Sequence, residues 1–248
     1  MSRASGASPV LLHVALPSMA VIESALNAGY DGVMIDLQHG EIGLDQACNL
    51  LRAIPRGNPW VYARVASIDS GAIGRLLDSG ARGIVAPTVE TVEQAQALVH
   101  AVKYPPLGGR SLGPSRPNLY PGENYCDAGN AAVAAVAQIE SAAGVSAAAQ
   151  IAAVPGIASL YVGPSDLAVT YGLGGGADWE DGPVAEAVGE LAAITKDAGI
   201  GLGLYCSDAA FALKQMRIHE LAFAGLGIDL LYVGKQARVS LAALEDKA

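Results

Sequence analysis

Asp36 and His39 stand three residues apart at the end of a short apolar run, residues 32–37. Such a run is typical of a strand that is buried on both faces. Sheets and barrels of parallel strands place their chemistry at the carboxyl ends of the strands. A carboxylate beside an imidazole fixes the tautomer of the ring and raises its basicity, so the pair predicts a general base for neutral pH. The alternative is a capped turn that contains one hydrogen-bonded histidine.

Polar side chains also stand at the ends of other apolar runs, where they would cost free energy unless they found partners. Gln138 and Glu140 are two residues apart, which puts them on one face of a strand. A barrel of parallel strands would bring the polar residues of several strands together at one mouth. We therefore expect a shared site for the following residues: Asp36, His39, Arg64, Gln138, Glu140 and Asp166.

Glu140 and Asp166 supply two hard oxygen donors on neighbouring predicted strand ends. With water and substrate in the remaining positions, two carboxylates suit Mg²⁺ or Mn²⁺ better than a closed zinc site would. Each carboxylate could instead cap the helix or helical turn that follows it. Ser165 and Asp166 could also begin a helical turn whose free N–H groups hold a carboxylate.

The elements that would position these residues alternate along the whole chain. Eight apolar runs are each followed by a segment with helical spacing of apolar residues. The runs are residues 11–16, 32–37, 60–65, 83–88, 134–140, 158–163, 200–205 and 230–234. The helical segments are residues 19–28, 43–54, 70–79, 91–103, 141–153, 183–198, 207–224 and 236–246. This alternation predicts an α/β fold, a single (β/α)8 TIM barrel over residues 1–248. A doubly wound sheet is the alternative, but it would more often stop at about five or six strands.

Residues 104–131 break this alternation with a segment rich in proline and glycine, which excludes regular helix until about Glu123. The segment follows a helix and precedes a strand, so it starts on the barrel face opposite the chemistry. Arg110 and Arg116 are therefore expected to have structural or interface roles. A second irregular segment, residues 171–182, follows the sixth predicted strand and could form part of a lid.

The composition narrows the class of protein. With 52% hydrophobic residues in 248, the chain can bury a large core, and no apolar run approaches the roughly 18 residues of a membrane span. The first ten residues lack a signal-peptide pattern, so we expect a cytoplasmic protein. Three scattered cysteines argue against a disulfide framework or a zinc ribbon. A net charge of −9 argues against nucleic acid or an anionic membrane as a partner, so an anionic substrate needs a local arginine or metal.

Four motifs occur in order: Ile-Asp-Leu-Gln-His-Gly from residue 35, Tyr-Pro-Pro-Leu-Gly-Gly-Arg-Ser-Leu-Gly from residue 104, Gln-Ile-Glu-Ser from residue 138 and Val-Gly-Pro-Ser-Asp-Leu from residue 162. Together they resemble the HpcH/HpaI family of metal-dependent 2-keto acid aldolases, in the phosphoenolpyruvate/pyruvate barrel superfamily. The similarity covers about residues 10–240. It implies a class II aldolase that reversibly cleaves 4-hydroxy-2-oxo acids to an aldehyde and pyruvate, or hydroxypyruvate. It also implies a homohexamer, a trimer of dimers, in which the last helix, residues 236–247, packs on a neighbouring subunit.

The resemblance also implies a role for each site residue. Glu140 and Asp166 would hold a divalent cation, either Mg²⁺ or else Mn²⁺ or Co²⁺. Arg64 would bind the keto oxygen and steady the enolate, and His39 paired with Asp36 would be the acid–base catalyst. Charge would then develop on an oxygen already bound by the metal and by the arginine. The residues implied to bind substrate are Arg64, Gln138, Gly163, Pro164, Ser165 and Asp166.

The chain departs from the family pattern at two positions. Gln38 precedes His39 where many relatives carry a glutamate. After the predicted eighth strand the chain has Val-Gly-Lys235, whereas the family pattern is Val-Gly, then Ser or Val, then Asp. A lysine at the mouth of the barrel could form a Schiff base if desolvation lowered its pKa. That mechanism would leave Glu140 and Asp166 without a purpose, so an ion-pairing or substrate-contacting lysine is the other interpretation.

Two other functions are compatible with the same barrel. A citrate-lyase-like enzyme would cleave a coenzyme A thioester, but it needs a basic surface for the phosphates, which this acidic chain does not offer. A non-catalytic keto-acid binding protein needs no base, and the pair Asp36 and His39 argues against it. Tyr205 is either part of an aldehyde pocket or an ordinary aromatic at the rim, and His13 is expected to be a hydrogen-bonded core or rim histidine.

Overall fold

Eight parallel strands close into a barrel in which each strand pairs with the next and the last pairs with the first. This arrangement comes from a computed structural model, which describes residues 8–55, 57–113 and 125–245. The strands are β1 Val10–Val14, β2 Gly32–Asp36, β3 Val61–Arg64, β4 Gly83–Ala86, β5 Ala134–Ile139, β6 Ile157–Val162, β7 Gly201–Cys206 and β8 Phe223–Ile228. The prediction of a (β/α)8 TIM barrel is confirmed.

Helices surround the barrel and connect its strands. Those in the described ranges are α1 Met19–Ala28, α2 Leu44–Ala53, α3 Ser70–Ser79, α4 Val92–Val102, α5 Tyr125–Ala132, α6 Ala142–Ala152, α7 Pro164–Thr170, α8 Gly182–Ala198, α9 Ala209–His219 and α10 Asp229–Glu245. Several begin at a capping side chain; Thr91, for example, accepts from Gln94 N, and the Gln94 side chain caps the N–H of Thr91 in return. Among these helices none is long and apolar enough to cross a membrane.

The strands bury both faces, which is why they read as continuous apolar runs rather than alternating ones. Alternate residues point inward, and a small inner core fills the barrel below the mouth. Its members are Leu11, Met34, Tyr62, Val85, Val136, Tyr161 and Phe223. The other strand residues pack outward against the helices in a second, larger core. His13 is two residues after Leu11 and therefore also points into the barrel.

The register of the strands sets which polar residues become neighbours. Asp36 on β2 lies directly beside Arg64 on β3. Gln138 on β5 lies beside Tyr161 on β6. Each of these residues is at or near the carboxyl end of its strand, so the barrel gathers them at one mouth as predicted.

The predicted position of the eighth strand, residues 230–234, is wrong. Strand β8 is Phe223–Ile228, and the helix predicted over 207–224 ends at His219. The strand was missed because two glycines interrupt its apolar pattern, whereas the uninterrupted apolar run that follows belongs to α10 and is largely exposed. The observed strand is followed by an ending similar to the expected one, Leu-Gly-Ile-Asp at residues 226–229, which keeps the glycine and the aspartate but has Leu for Val and Ile for Ser or Val.

The segment after α4 is held on the face opposite the mouth. Arg110 is buried; it pairs with Asp78 at 2.5 Å and lies 4.6 Å above the ring of Tyr104. Nearby, Lys103 Nζ donates to the carbonyl oxygens of Asn130 and Val133 at 2.6 and 2.5 Å. The structure thus gives Arg110 structural contacts, and Arg116 lies outside the described residues.

The segment after α7, residues 171–182, is tied to the loop that follows β7. The Asp178 carboxylate accepts from both the backbone N–H and the hydroxyl of Ser207. The Trp179 indole donates to the carbonyl of Gly176 at 2.8 Å. These bonds hold the segment at the mouth of the barrel, on the side where a lid was predicted.

Candidate active site

A cavity of about 150 Å³ opens at the carboxyl ends of the strands. Every residue that the sequence predicted to bind substrate lines it, and so does the predicted base, His39. Asp36 and Glu140 are not in the wall, but each is hydrogen-bonded to a residue that is. The lining residues are His13, His39, Arg64, Gln138, Tyr161, Gly163, Pro164, Ser165, Asp166, Tyr205 and Ile228.

Arg64 is held in place by a bidentate pair with Asp36. Its Nε donates to Oδ1 at 3.0 Å and its Nη2 to Oδ2 at 2.6 Å, and both side chains are buried. Burial alone would raise the pKa of Asp36, but the hydrogen bonds and charge of Arg64 outweigh it and keep that pKa below its ordinary value. The site therefore contains a fixed guanidinium whose position is set by a carboxylate behind it.

The predicted pairing of Asp36 with the imidazole of His39 is not made. Asp36 Oδ1 accepts instead from the backbone N–H groups of Gln38 and His39, at 3.0 and 3.3 Å, while both of its oxygens bind Arg64. The short spacing suits this local turn, because an aspartate readily bonds backbone N–H groups two or three residues on. The His39 ring is exposed at the mouth, and within the described ranges its nitrogens form no hydrogen bond.

Glu140 is buried just beyond the end of β5 and is oriented by three hydrogen bonds. Its Oε1 accepts from the backbone N–H and the hydroxyl of Thr88, at 2.8 and 2.7 Å. Its Oε2 accepts from the Gln138 amide. Thr88 has a φ of 49°, which is unusual for a β-branched residue, and its two bonds to Glu140 offset that strain. No local pattern in the sequence signals this contact, which joins residues 52 positions apart.

Asp166 lies in the first turn of α7 and is exposed to the cavity. The glycine before this helix is required by close packing, since a Cβ on Gly163 would lie 2.6 Å from Glu140 Oε2. The chain therefore brings the start of α7 directly against the buried carboxylate. Of the two predicted carboxylates, Asp166 lies in the wall of the cavity and Glu140 lies beneath it.

These residues fit a hard divalent cation. The donors are carboxylate and amide oxygens, and Gln138 Oε1 is buried without a hydrogen-bond partner among the described residues. Among the residues that the structure describes, no three His, Cys, Asp or Glu side chains are close enough to share a metal ion. A closed zinc site, which needs four such ligands, is therefore not formed by these residues. Two carboxylates leave coordination positions for water and substrate, as Mg²⁺ requires.

Three aromatic residues complete the floor and one wall of the cavity. His13 Nε2 is 2.8 Å from the Tyr161 hydroxyl, and the ring of His13 packs edge-on against Tyr205 at 5.2 Å. Burial, together with the charge of Arg64, lowers the pKa of His13 to about 3. Burial raises the pKa of Tyr205 to about 12. His13 and Tyr161 were not predicted as site residues, because inside an apolar strand such residues read as core.

Lys235 lies on α10, exposed, and is not among the residues that line the cavity. The prediction that it ends the eighth strand is wrong, because that strand ends at Ile228. The structure therefore removes the basis for a Schiff-base mechanism through this lysine.

Comparison with known proteins agrees with this geometry. The family model described as HpcH/HpaI aldolase/citrate lyase matches residues 10–233, which include the whole barrel. The chain belongs to the HpcH/HpaI family. The resemblance noted in the four motifs is thereby confirmed.

Individual members of the HpcH/HpaI family are similar over most of their length. A protein named hydroxypyruvate/pyruvate aldolase from Rhizorhabdus wittichii is 36% identical over 92% of this chain and 90% of its own. One named 4-hydroxy-2-oxovalerate aldolase from Novosphingobium aromaticivorans is 40% identical over 75% of this chain and 73% of its own. The crystal structure of a family protein from Burkholderia cenocepacia has a TM-score of 0.84 at 30% identity, covering 97% of this chain and 96% of that one.

Proposed function

We propose that the protein is a metal-dependent aldolase that reversibly cleaves 4-hydroxy-2-oxo acids to an aldehyde and pyruvate or hydroxypyruvate. The observation that carries this proposal is one cavity whose wall contains a fixed guanidinium, an exposed imidazole and the Asp166 carboxylate, with the buried Glu140 carboxylate directly behind Gln138. The names of the similar family members support the same activity. A coenzyme A lyase has less support, because its cavity would need cationic groups for phosphates, and Arg64 is the only arginine or lysine among the described residues that line this wall.

Glu140 and Asp166 would hold the cation, with Gln138 beside them. When bound, a divalent cation supplies Lewis-acid stabilisation to the oxygens of a 2-oxo acid. The Ser165 and Asp166 N–H groups lie in the first turn of α7, so neither has an intrahelical acceptor and both can bind the substrate carboxylate. Arg64, held by Asp36, donates to the keto oxygen, where negative charge develops as the carbon–carbon bond breaks.

His39 would move the proton. In the cleavage direction the imidazole of His39 accepts the proton of the C4 hydroxyl, and the C3–C4 bond breaks. The electron pair of that bond passes to C3 and the keto oxygen, which forms the enolate. The aldehyde leaves, and a proton returns to C3. His39 suits this task because its ring is exposed at the mouth, where it can reach the substrate directly or through one water.

The test is pyruvate release from a 4-hydroxy-2-oxo acid by EDTA-treated enzyme, with Mg²⁺, Mn²⁺ or Co²⁺ then restored. We expect no turnover without metal and recovery on its addition. His39→Ala should slow cleavage by about 10²–10⁴-fold while leaving pyruvate binding nearly intact. Full activity in EDTA, or covalent trapping of pyruvate by borohydride, would contradict the metal mechanism. Lys235→Met is the matched control and should be as active as the parent.

The exposed apolar side chains of α10 support the proposal of an oligomer. Asp229 anchors the helix by accepting from the N–H groups of Ala15 and Leu16, at 2.9 and 3.1 Å. Beyond it, the large apolar side chains are between 45% and 69% exposed: Leu230, Leu231, Val233, Val239, Leu241 and Leu244. A groove of about 340 Å³ between α1 and α9 offers an apolar surface, lined by Tyr30, Leu213 and Met216, to a helix of this kind.

The proposed assembly is a hexamer in which α10 packs on a neighbour. Light scattering of the whole chain should give about six times its mass of 25.1 kDa. Changing Leu231 and Val233 to Asp should lower that mass, and a monomeric parent would refute the assembly. We further propose a cytoplasmic location, which the free cysteines support, since two of the three are buried thiols.

A further inference from the structure

His13 is a buried polar residue in the cavity wall that the proposed chemistry does not use. It is 1% exposed, and its Nδ1 has no hydrogen-bond partner among the described residues. An unsatisfied buried donor or acceptor is costly, so such an atom calls for a partner from a ligand or an ordered water. Because His13 lines the cavity, a ligand in the cavity is the natural source of that partner.

The hydrogen bonds around His13 assign its tautomer. Burial keeps the pKa of Tyr161 well above its ordinary value, so this residue retains its hydroxyl proton. Within the described ranges its hydroxyl has a single partner, His13 Nε2, at 2.8 Å. The satisfied arrangement is therefore a Tyr161 hydroxyl that donates to Nε2, which leaves the proton of the neutral ring on Nδ1. His13 Nδ1–H is then an unused donor.

The His13–Tyr161 pair fits in the barrel because the neighbouring position on β8 is a glycine. A Cβ on Gly225 of β8 would lie 2.2 Å from the Tyr161 hydroxyl and 2.8 Å from His13 Nε2. Any larger residue there would displace one of the two partners. The three residues come from three different strands, β1, β6 and β8, so the hydrogen bond is built by the barrel rather than by a local turn.

The position of His13 in the cavity indicates which part of the substrate would lie next to it. The groups that would hold the cation and the carboxylate and keto oxygens lie on β3, just after β5 and at the start of α7. The facing wall, from β7, β8 and β1, presents Tyr205, Ile228 and His13. Tyr205 is partly exposed, whereas His13 is fully buried. Since the aldehyde enters through the mouth, the deep position is left to the C3 substituent of the oxo-acid donor.

We propose that His13 is a specificity residue, whose Nδ1–H donates to a hydroxyl oxygen on C3 of the donor and so favours hydroxypyruvate over pyruvate. The methyl group of pyruvate would leave this donor unpaired. A site built to hydrogen-bond a hydroxyl discriminates strongly against the analogue that lacks it. This inference rests on the proposed aldolase function and adds the residue that chooses between its two donors.

The kinetic test compares His13→Asn with His13→Gln. An Asn side-chain amide can place a donor near the position of Nδ1, whereas a Gln amide reaches toward that of Nε2. With one aldehyde that has no hydroxyl, the ratio of kcat/KM for hydroxypyruvate to that for pyruvate should fall about tenfold in His13→Gln. It should stay within about threefold of the parent in His13→Asn. An equal loss with both donors in both variants would show a structural role only and would overturn the proposal.

Two further measurements keep the inference separate from the function. Titration calorimetry with Mg²⁺ present gives the affinities of hydroxypyruvate and pyruvate without any turnover, and it should show the same shift of the ratio. ¹⁵N NMR of histidine-labelled protein, assigned with His13→Gln, should show a neutral ring protonated on Nδ1. A parent with no carbon–carbon bond cleavage would refute the aldolase proposal alone. An Nε2-protonated ring, or a preference that follows a hydroxyl on the aldehyde instead, would refute the role of His13.

Discussion

Two arginines of this barrel are alike in their burial and in pairing with an aspartate. Arg64 and Arg110 are 8% and 7% exposed, and each pairs with one aspartate, at 2.6 and 2.5 Å. Each also lines a cavity; the one beside Arg110, at the opposite end of the barrel, is the larger at about 300 Å³. Burial, ion pairing and cavity size therefore do not distinguish the candidate catalytic arginine from the structural one.

The difference lies in what surrounds each pair. Arg110 lies on the ring of Tyr104 in a wall formed mostly by apolar side chains. Buried atoms without a hydrogen-bond partner among the described residues occur at both ends: Gln138 Oε1 and His13 Nδ1 near Arg64, and the Nε of Arg110 itself. Around Arg64, however, stand an exposed imidazole and two carboxylates besides Asp36. Groups with unused bonding capacity that face one cavity are what a substrate can bind. A buried ion pair by itself is weak evidence of function.

The largest effect should come from the carboxylates at the Arg64 end. Glu140→Gln and Asp166→Asn each keep the shape of the side chain but remove a negative charge that the cation needs. We expect metal-dependent cleavage to fall by about 10³-fold or more in each variant, measured as pyruvate release at saturating Mg²⁺. Asp78→Asn at the other end is the matched control, and its turnover should stay within about twofold. Near-normal activity of both active-site variants would exclude their role as ligands.

The two arginines should separate activity from stability. Arg64→Lys keeps the charge but loses the bidentate fork, so kcat/KM should fall about 10²-fold. Arg110→Lys loses the planar guanidinium that bonds Asp78 through Nη2 and stacks on Tyr104, so its free energy of unfolding should fall by about 1–3 kcal/mol with kcat/KM nearly unchanged. Urea unfolding and steady-state kinetics on both variants would check this. A similar loss of activity in both variants would mean that the residues around each arginine do not distinguish a catalytic role from a structural one.

Buried His13 predicts a pH dependence that a solvated histidine would not have. Its pKa is about 3 in the folded state against 6.5 for the unperturbed group, so below pH 6.5 the unfolded chain binds a proton that the folded chain does not. Stability must therefore fall as pH decreases, by about 1.4 kcal/mol per pH unit from this residue between pH 6 and pH 4. Urea unfolding at several pH values should show that the free energy of unfolding of His13→Gln depends on pH less steeply than that of the parent, by that amount.

The sequence predicted those parts of the molecule that follow from local pattern. Continuous apolar runs gave seven strands close to their observed places, and the polar residues at their ends gave most of the cavity wall. The eighth strand was not predicted because close packing requires glycine at positions 225 and 227, and these glycines interrupt the apolar pattern. The partner of Asp36 could not be predicted either, since it depends on the register between β2 and β3. Thr88 and His13 act through contacts with residues 52 and 148 positions away, beyond any local pattern.

Thr88 provides the finest test of the comparison, because its N–H and its hydroxyl both donate to Glu140, one of the two carboxylates that would hold the cation. Thr88→Val keeps the shape and the strained backbone but removes the hydroxyl that donates to Glu140 Oε1 at 2.7 Å. Groups that orient a metal ligand typically alter metal affinity by about tenfold or more, so the Mg²⁺ concentration for half-maximal activity should rise about tenfold. Calorimetric Mg²⁺ binding should weaken equally, while Thr88→Ser should restore the parent value. If the Val variant binds Mg²⁺ as tightly as the parent and the Ser variant, the Thr88 N–H and the Gln138 amide suffice to orient Glu140, and the hydroxyl has no part in it.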